Sequence, residues 1–285
     1  VTFSPAQPDD DGAGSLAVVV VRYKTPLEAM PSIRTAGLLV DRDIAWYVVD
    51  NSPVPATERE IADLPSTVVY NWLGGNKGLS RAYNAALELL DDRWSHVCFL
   101  DQDTQGVDTY LDAALPVDPR HDVVLPVVSS GSLVLSPNRR IGPWYRPLGQ
   151  LGTSPRNLSW INSGMIVSRR ILGHVRFDER LFLDYVDHKF ALDVLAAGAS
   201  PCVRWDLRLE QDFSRDSDSL DQALGRFEIY RKDLSTFYGR GLGGRLWVAL
   251  LTIRRRAVAT LRYRTTKFLK VWTHHAKEVE RVGDR

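Results

Sequence analysis

Two carboxylates one residue apart, Asp101-Gln102-Asp103, end an apolar run that begins at His96. Carboxylates at the point where a chain leaves a sheet can share a hard divalent cation and a ligand hydroxyl, and Mg²⁺ commonly bridges carboxylate to substrate phosphate. An Asx turn after a strand would use the same residues. Gly74-Gly75-Asn76-Lys77-Gly78 opens a helical pattern that carries Arg81 and Asn84 one turn further on. Backbone N–H groups and the helix dipole there can approach an anion, although a plain Gly-rich connection reads the same way and solvated helix positions would suit Arg81 and Asn84. The loop is not a Walker A sequence, since Gly78 rather than Ser or Thr follows Lys77. Asp184-Tyr185-Val186-Asp187 offers a carboxylate that can act as a general base toward a substrate hydroxyl. Helix starts also favour acidic residues for capping and dipole reasons alone. The six histidines form no spaced ligand cluster, and no G-x-S-x-G elbow or reactive cysteine motif is present. His274 and His275 read as solvated members of a basic tail.

These groups need elements that bring them together. Leu16-Ala-Val-Val-Val-Val21 and Ile44-Ala-Trp-Tyr-Val-Val-Asp50 are β-branched runs of the kind buried on both faces of a parallel sheet. Thr67 to Tyr70 and His96 to Asp101 predict two more strands, and Leu79 to Leu90 predicts a helix with Ala82, Ala86, Leu87 and Leu90 on one side. Strands alternating with helices imply βαβ units, in which ligands gather beyond the carboxyl ends of the strands. Asp50-Asn51-Ser52, the stretch from Asn71 to Gly78, and Asp101 to Asp103 all fall at that edge. After about residue 120 the pattern shifts to short strands and turns. Ile161 to Val167 reads as a last core strand, a helix follows from about Asp184 to Ala197, and the chain beyond Asp212 is helical and increasingly basic.

A hydrophobic share of 44% and a charged share of 25% over 285 residues describe an ordinary globular chain, large enough for one α/β domain with an appendage. The expected division is a mobile tail over 1–14, a catalytic-size domain over 15–215 and a helical, basic extension over 216–285. No run approaches the roughly 18 apolar residues of a membrane span, and the acidic amino-terminal stretch does not read as a secretory signal. Cys98 and Cys202 lie in apolar, strand-like surroundings and read as buried thiols of a reducing, cytoplasmic compartment. Residues 241–285 hold 11 Lys/Arg against 3 Asp/Glu, a charge split that suits an anionic surface. Arg254, Arg255, Arg256 and Arg262 interleave there with Leu242, Leu246, Leu250 and Trp272. That spacing suits a helix lying on an anionic bilayer, or one whose apolar face packs on the rest of the chain or on a second copy in a homo-oligomer. No nucleic-acid reader motif is present, and no nucleic-acid partner is expected.

Taken in order, Val48-Val-Asp-Asn-Ser52, Gly74-Gly-Asn-Lys-Gly-Leu-Ser-Arg-Ala-Tyr-Asn84, Phe99-Leu-Asp-Gln-Asp-Thr104, Asn162-Ser-Gly164 and Leu181-Phe-Leu-Asp-Tyr-Val-Asp187 resemble family 2 glycosyltransferases of the GT-A fold. The nearest likeness is to bacterial rhamnosyltransferases. The resemblance implies an α/β fold whose mixed, mainly parallel sheet is flanked by helices. It implies that Asp50 contacts the nucleoside, that Asn76, Lys77, Gly78, Arg81 and Asn84 line the nucleotide cleft, and that Ser163 and Gly164 lie beside the donor sugar. Asp101 and Asp103 would hold ribose, diphosphate and a Mg²⁺ or Mn²⁺ ion, and Asp187 would be the catalytic base with Asp184 nearby. Gln211 stands where such enzymes often carry a metal-binding His, with Glu210 and Asp212 as neighbouring alternatives. Lys189 and Asp193 occupy positions that are usually an acidic residue and an Arg. The implied reaction is inverting transfer of rhamnose from dTDP-rhamnose to a saccharide acceptor hydroxyl, lipid-linked for instance, in assembly of a bacterial surface polysaccharide. UDP-galactofuranose and UDP-hexoses are alternative donors, and a noncatalytic nucleotide-sugar-binding protein is the alternative from another class. The basic helix would make peripheral contact with the inner face of the cytoplasmic membrane.

Overall fold

A computed structural model describes residues 15–149, 157–211, 219–239 and 241–271. The expected mobile tail over 1–14, and Asp212, Trp272, His274 and His275, lie outside the described residues. Four parallel strands come first: β1 (Leu16–Arg22), β2 (Ile44–Asp50), β3 (Val68–Trp72) and β4 (His96–Asp101). Between them lie α1 (Pro31–Leu38), α2 (Glu58–Ala62) and α3 (Leu79–Leu89), the last matching the expected apolar stripe through Ala82, Ala86 and Leu87. Strand β1 is buried throughout, and its alternation divides the core. Ala17, Val19 and Val21 join one apolar layer with α3, while Leu16, Val18 and Val20 join the other.

The chain then makes β5 (Thr104–Gln105), α4 (Val107–Ala114), β6 (Val123–Ser130) and β7 (Leu133–Ser136). Strands β8 (Asn138–Ile141), β9 (Trp144–Pro147) and β10 (Leu158–Ser159) form a separate small antiparallel sheet. Next come β11 (Met165–Ser168), α5 (Arg169–Leu172), α6 (Val186–Ala196) and β12 (Pro201–Gln211). The large sheet runs β3-β2-β1-β4-β11-β6-β12-β5, with β11 antiparallel to both its neighbours. It is the mixed, mainly parallel sheet expected, flanked by helices.

Two expectations change. The strand expected from Ile161 begins at Met165, because Asn162 to Gly164 turn beneath it, and it is not the last core strand. Strand β12 follows, with Leu207 and Leu209 buried between exposed Asp206, Arg208 and Glu210. Its period-two pattern is hidden by those charges. Cys98 is buried, whereas Cys202 at the start of β12 is only partly so.

Helices α7 (Leu220–Tyr238), α8 (Gly241–Tyr263) and α9 (Lys267–Lys270) complete the fold. Ser219 starts α7 with a capping box closed by Gln222. The G-x-G-x-x-G spacing of residues 239–244 follows a helix, with Gly241 to Gly244 inside α8, and so is not a dinucleotide fingerprint, which needs a preceding strand. No described helix is long and apolar enough to cross a membrane.

Candidate active site

Register places the Asp50 and Asp101 clusters on either side of β1, with Arg22 paired to Asp50 of β2 and Val21 to Asp101 of β4. Asp50 is wholly buried and bonded to the Arg22 guanidinium and the Tyr70 hydroxyl. It also accepts the backbone N–H groups of Ser52 at 2.9 Å and Ala56 at 3.2 Å. Burial would raise its pKa, but the bonds from Ser52 and Tyr70 and the charge of Arg22 outweigh that and hold it below the ordinary carboxylate value. Every partner of this carboxylate is internal, so Asp50 braces the corner rather than presenting an open face to a nucleoside. Asn51 then fastens the glycine loop. Its amide donates to Asn76 at 3.0 Å and accepts the Lys77 N–H at 2.7 Å, while Asn76 accepts the Gly78 N–H at 3.1 Å.

Asp101 ends β4, and Asp103 follows within the turn to β5. The β5–β12 ladder pairs Thr104 with Gln211, which brings the Gln211 amide nitrogen to the Asp101 carboxylate as a donor. Through that nitrogen Gln211 steadies the carboxylate. Burial, then the charge of Asp103, and further the charge of Asp187, push Asp101 up to about 7 against hydrogen bonds from Gln211 and Tyr83. Crowding of this kind is what a bound cation relieves, so Asp101 and Asp103 fit a hard divalent ion chemically. No group of three His, Cys, Asp or Glu residues suited to a metal gathers among the described residues. Such an ion would take its other donors from water and substrate phosphate.

Ser163 is buried and shares a 2.7 Å hydrogen bond with Thr104. Gly164 has φ +77°, and a Cβ there would lie 2.3 Å from Leu209 Cδ1 and 2.7 Å from Pro126 Cγ. Only glycine fits that turn, which donates its N–H to Phe99 O at 2.7 Å. These two residues therefore shape the floor beside Asp101. Asn84 is also internal, its amide spanning Phe177 N, Phe177 O and Glu179 Oε1, each at 3.0 Å. Arg81 lies on the outer surface, 3.5 Å from Glu179.

The segment before α6 forms the opposite wall. Gly78 has φ +90°, and an added Cβ would meet Phe182 Cδ2 at 2.7 Å and Phe182 O at 3.0 Å. Leu79 N donates to the same carbonyl at 2.6 Å. The glycine loop and the segment carrying Asp184 and Asp187 are thus in direct contact. From behind, Asp233 of α7, itself wholly buried, accepts the N–H groups of Phe182 at 2.9 Å and of Leu183 and Asp184 at 2.8 Å. The helix expected from Asp184 begins at Val186, and its N-cap is Tyr185 at φ +64° with no side-chain cap, so Asp184 is not the capping residue. Asp187 sits in the first turn and accepts the His188 N–H at 2.8 Å. His188 stacks on Tyr145 with centroids 3.6 Å apart and shares a 2.8 Å hydrogen bond with Ser159. Burial, opposed by the charge of Asp187, lowers its pKa.

No protein-family model and no curated protein matches this sequence. Among solved structures, the chain is similar to the mannosyltransferase PcManGT from Pyrobaculum calidifontis in complex with GDP-Man and Mn²⁺, at 13% identity and a TM-score of 0.55, over 97% of this chain and 86% of that one. The mixed α/β fold is shared with that mannosyltransferase. Similarity also extends to S. aureus TarS, at 15% identity and a TM-score of 0.49 over 85% of this chain and 43% of TarS. For TarS 1–349 in complex with UDP-GlcNAc the values are 14% and 0.48, over 77% of this chain and 65% of that one.

Of the residues singled out in the sequence, Asp101, Asp103, Gln211 and Asp187 converge. The contacts of Asn76 and Gly78 join their loop to the same cleft, with Lys77 exposed between them. Asp50, Asn84 and Ser163 sit behind it as braces, and Arg81 points outward. Sequence reasoning missed Arg22, Tyr83 and Asp233. Arg22 was legible as a charge ending an apolar strand. Asp233, inside a helix of the carboxyl-terminal extension, has no local signature.

Proposed function

We propose that the chain is an inverting glycosyltransferase that moves a sugar from a nucleoside diphosphate to an acceptor hydroxyl. The observation that carries this reading is the convergence of the Asp101–Asp103 pair at the sheet edge with Asp187 of α6, the charges of Asp103 and Asp187 both reaching Asp101. The fold shared with a mannosyltransferase supports it. Asp187 takes the proton of the acceptor hydroxyl, whose oxygen attacks the anomeric carbon while the nucleoside diphosphate leaves from the opposite face. The Asn76–Gly78 loop orients the donor, and Asp101 and Asp103 would hold the divalent ion. When bound, that ion supplies Lewis-acid stabilisation of charge on the departing diphosphate. Rhamnose from dTDP-rhamnose is the favoured donor, on the resemblance of the Leu-Asp-Gln-Asp-Thr and Asp-Tyr-Val-Asp stretches to rhamnosyltransferases.

Mass spectrometry with dTDP-rhamnose, UDP-galactofuranose and UDP-hexoses, in Mg²⁺ or Mn²⁺ and in chelator, tests this reading. One donor is expected to bind and hydrolyse slowly with metal, and Asp103→Ala to weaken both. Absence of binding by every donor would overturn the proposal, and binding without hydrolysis or transfer to any acceptor would assign a noncatalytic role.

We infer peripheral attachment to an anionic bilayer through α8. Leu242, Leu246 and Ile253 are exposed and lie on the side of the helix opposite buried Leu251, with exposed Leu250 and Leu261 on its flank. Leu251 packs with Tyr230 and Leu234 of α7, so packing on the protein accounts for one face of α8 only. Each basic residue near such a surface contributes about 1 kcal/mol, screened by salt. Sedimentation with anionic liposomes at low salt, lost at high salt, is expected, and no sedimentation at low salt would refute the attachment.

A further inference from the structure

A cavity of about 910 Å³ lies between β9, the segment 183–185 and helices α7, α8 and α9. It is separate from the Asp101–Asp103 edge and adjoins the proposed site through Asp184, three residues before Asp187, and through Tyr145, which stacks on His188. Its wall is strongly unbalanced in charge. Arg146, Arg226, Arg254, Arg255 and Arg262 line it, against the single carboxylate of Asp184. Clustering of like charges around a concave surface is costly unless a counter-charge enters, and concave walls focus the resulting field.

Arg254 and Arg255 are also held against aromatic rings. Arg254 lies over the Trp144 ring at 5.1 Å from its centroid and Arg255 over Tyr230 at 4.2 Å. A cation–π contact of this kind positions a guanidinium without using a carboxylate partner. On α8 the spacing Leu251, Arg254, Arg255, Val258 and Arg262 sets one helix face toward the cavity. No ion pair to Arg146, Arg254 or Arg255 is formed among the described residues. Planar, fork-shaped donors in such number match the oxygens of phosphate or diphosphate.

We propose that this cavity binds a phosphate or diphosphate group carried by the acceptor, adjoining the sugar whose hydroxyl meets Asp187. The inference rests on the transferase reading for the word acceptor, while the anion site itself stands on the cavity alone. Its size is at the upper end of the range for small-molecule pockets and leaves room for a sugar beside the phosphate. Asp184, at the junction, can accept sugar hydroxyls and excludes the anion from the position next to the base.

The test uses the full chain in chelator, so that no metal draws a diphosphate to Asp101 and Asp103. Binding of inorganic pyrophosphate, a short-chain alkyl diphosphate and an uncharged alkyl glycoside is measured by calorimetry, and nucleotide-sugar binding is measured separately with metal. Both diphosphates are expected to bind and the glycoside not to. The Arg254→Gln, Arg255→Gln double variant should weaken diphosphate binding by roughly ten- to a hundredfold, as expected for loss of charged hydrogen bonds. Asp103→Asn should leave it unchanged. Arg146→Gln, on the exposed hairpin wall and outside the helix packing, should weaken it several-fold even if the double variant fails to fold. Tighter binding of the alkyl diphosphate than of pyrophosphate assigns the site to a carrier-linked acceptor, and equal affinity overturns that assignment. Diphosphate binding indifferent to all three arginines overturns the anion site. Loss of every nucleotide-sugar interaction with this binding intact would refute the transferase reading alone, whereas the reverse pattern would refute this inference alone.

Discussion

Asp50 and Asp233 are both wholly buried carboxylates, and each fixes one wall of the same cleft. They do so by different means. Asp50 has a cation, Arg22, with hydroxyl and backbone donors from its own strand edge. Asp233 is bonded to three backbone N–H groups of the segment 182–184, about 50 residues away in sequence. The side carrying the glycine loop is thus braced by residues within or next to the motifs that form it, whereas the side carrying Asp187 is braced from the carboxyl-terminal helices. The expected division at residue 215 is crossed by the three hydrogen bonds that hold the wall of the proposed base.

The largest effect expected on either wall is chemical. Asp187→Asn should keep the fold and donor affinity while turnover falls by about 10²- to 10⁴-fold, the usual cost of removing a general base. Asp184→Asn should cost far less in turnover. Steady-state kinetics beside donor binding measures both, and a greater loss in Asp184→Asn would move the base to that residue.

Replacing the two braces compares them directly. Asp50→Asn removes one partner of a buried ion pair and should cost about 3–5 kcal/mol in chemical denaturation. The wild-type brace also carries a pH signature. Burial raises the Asp50 pKa, but its hydrogen bonds and Arg22 lower it further, below 3.8. Its stabilisation is therefore complete above the unfolded value and is lost as pH falls through the lower folded one. The variant should lack that acid limb, and an unchanged acid limb would show that the brace does not depend on the charge of Asp50. Asp233→Ala leaves up to three N–H groups without their acceptor and should cost about 2–4 kcal/mol, less wherever water replaces the carboxylate. Turnover should fall with it, because the released segment leads directly into Asp187. Asp233→Ala with full stability and full turnover would break the comparison.

Legibility follows the same divide. The first four strands and α3 were readable because unbroken β-branched runs and a helical apolar stripe are local signals, and the polar clusters at their ends pointed to one edge. Strand β12 was not, since Arg204, Asp206, Arg208 and Glu210 mask its alternation, although it carries Gln211 to Asp101. The resemblance implied ligand contacts for Asp50, Asn84 and Ser163. Their engagement by internal partners is decided by chain crossings such as Asn84 to Phe177, which no spacing encodes.

Gly78 is the point where the two walls touch. A side chain there would combine φ +90° with overlap against the Phe182 carbonyl and ring, so Gly78→Ala should cost about 1–3 kcal/mol. It should also displace Phe182 and lower turnover more than Gly74→Ala, whose Cβ would meet nothing within 4 Å although its φ is also positive. Equal effects of the two substitutions would mean that the contact between the walls does not set the geometry of the base.

The smallest expected effect lies on α6, where Lys189 and Asp193 replace the residues that the resemblance leads one to expect. They form an i,i+4 ion pair at 2.5 Å with both side chains about one-third exposed. Lys189 also helps hold Asp178 below its ordinary value, behind the larger contribution of Arg180 and the opposing effect of burial. Residues two apart on a helix point to nearly opposite sides, so Lys189 faces away from Asp187. A partly exposed pair of this kind contributes about 0.3–0.5 kcal/mol. In a double-mutant cycle of Lys189→Ala and Asp193→Ala, the coupling energy in denaturation should fall in that range and turnover should change by less than about twofold. A much larger loss of turnover from Lys189→Ala alone, with stability unaffected, would mean that this face of α6 belongs to the acceptor side of the cleft and that the wall of the base extends around the helix beyond Asp187.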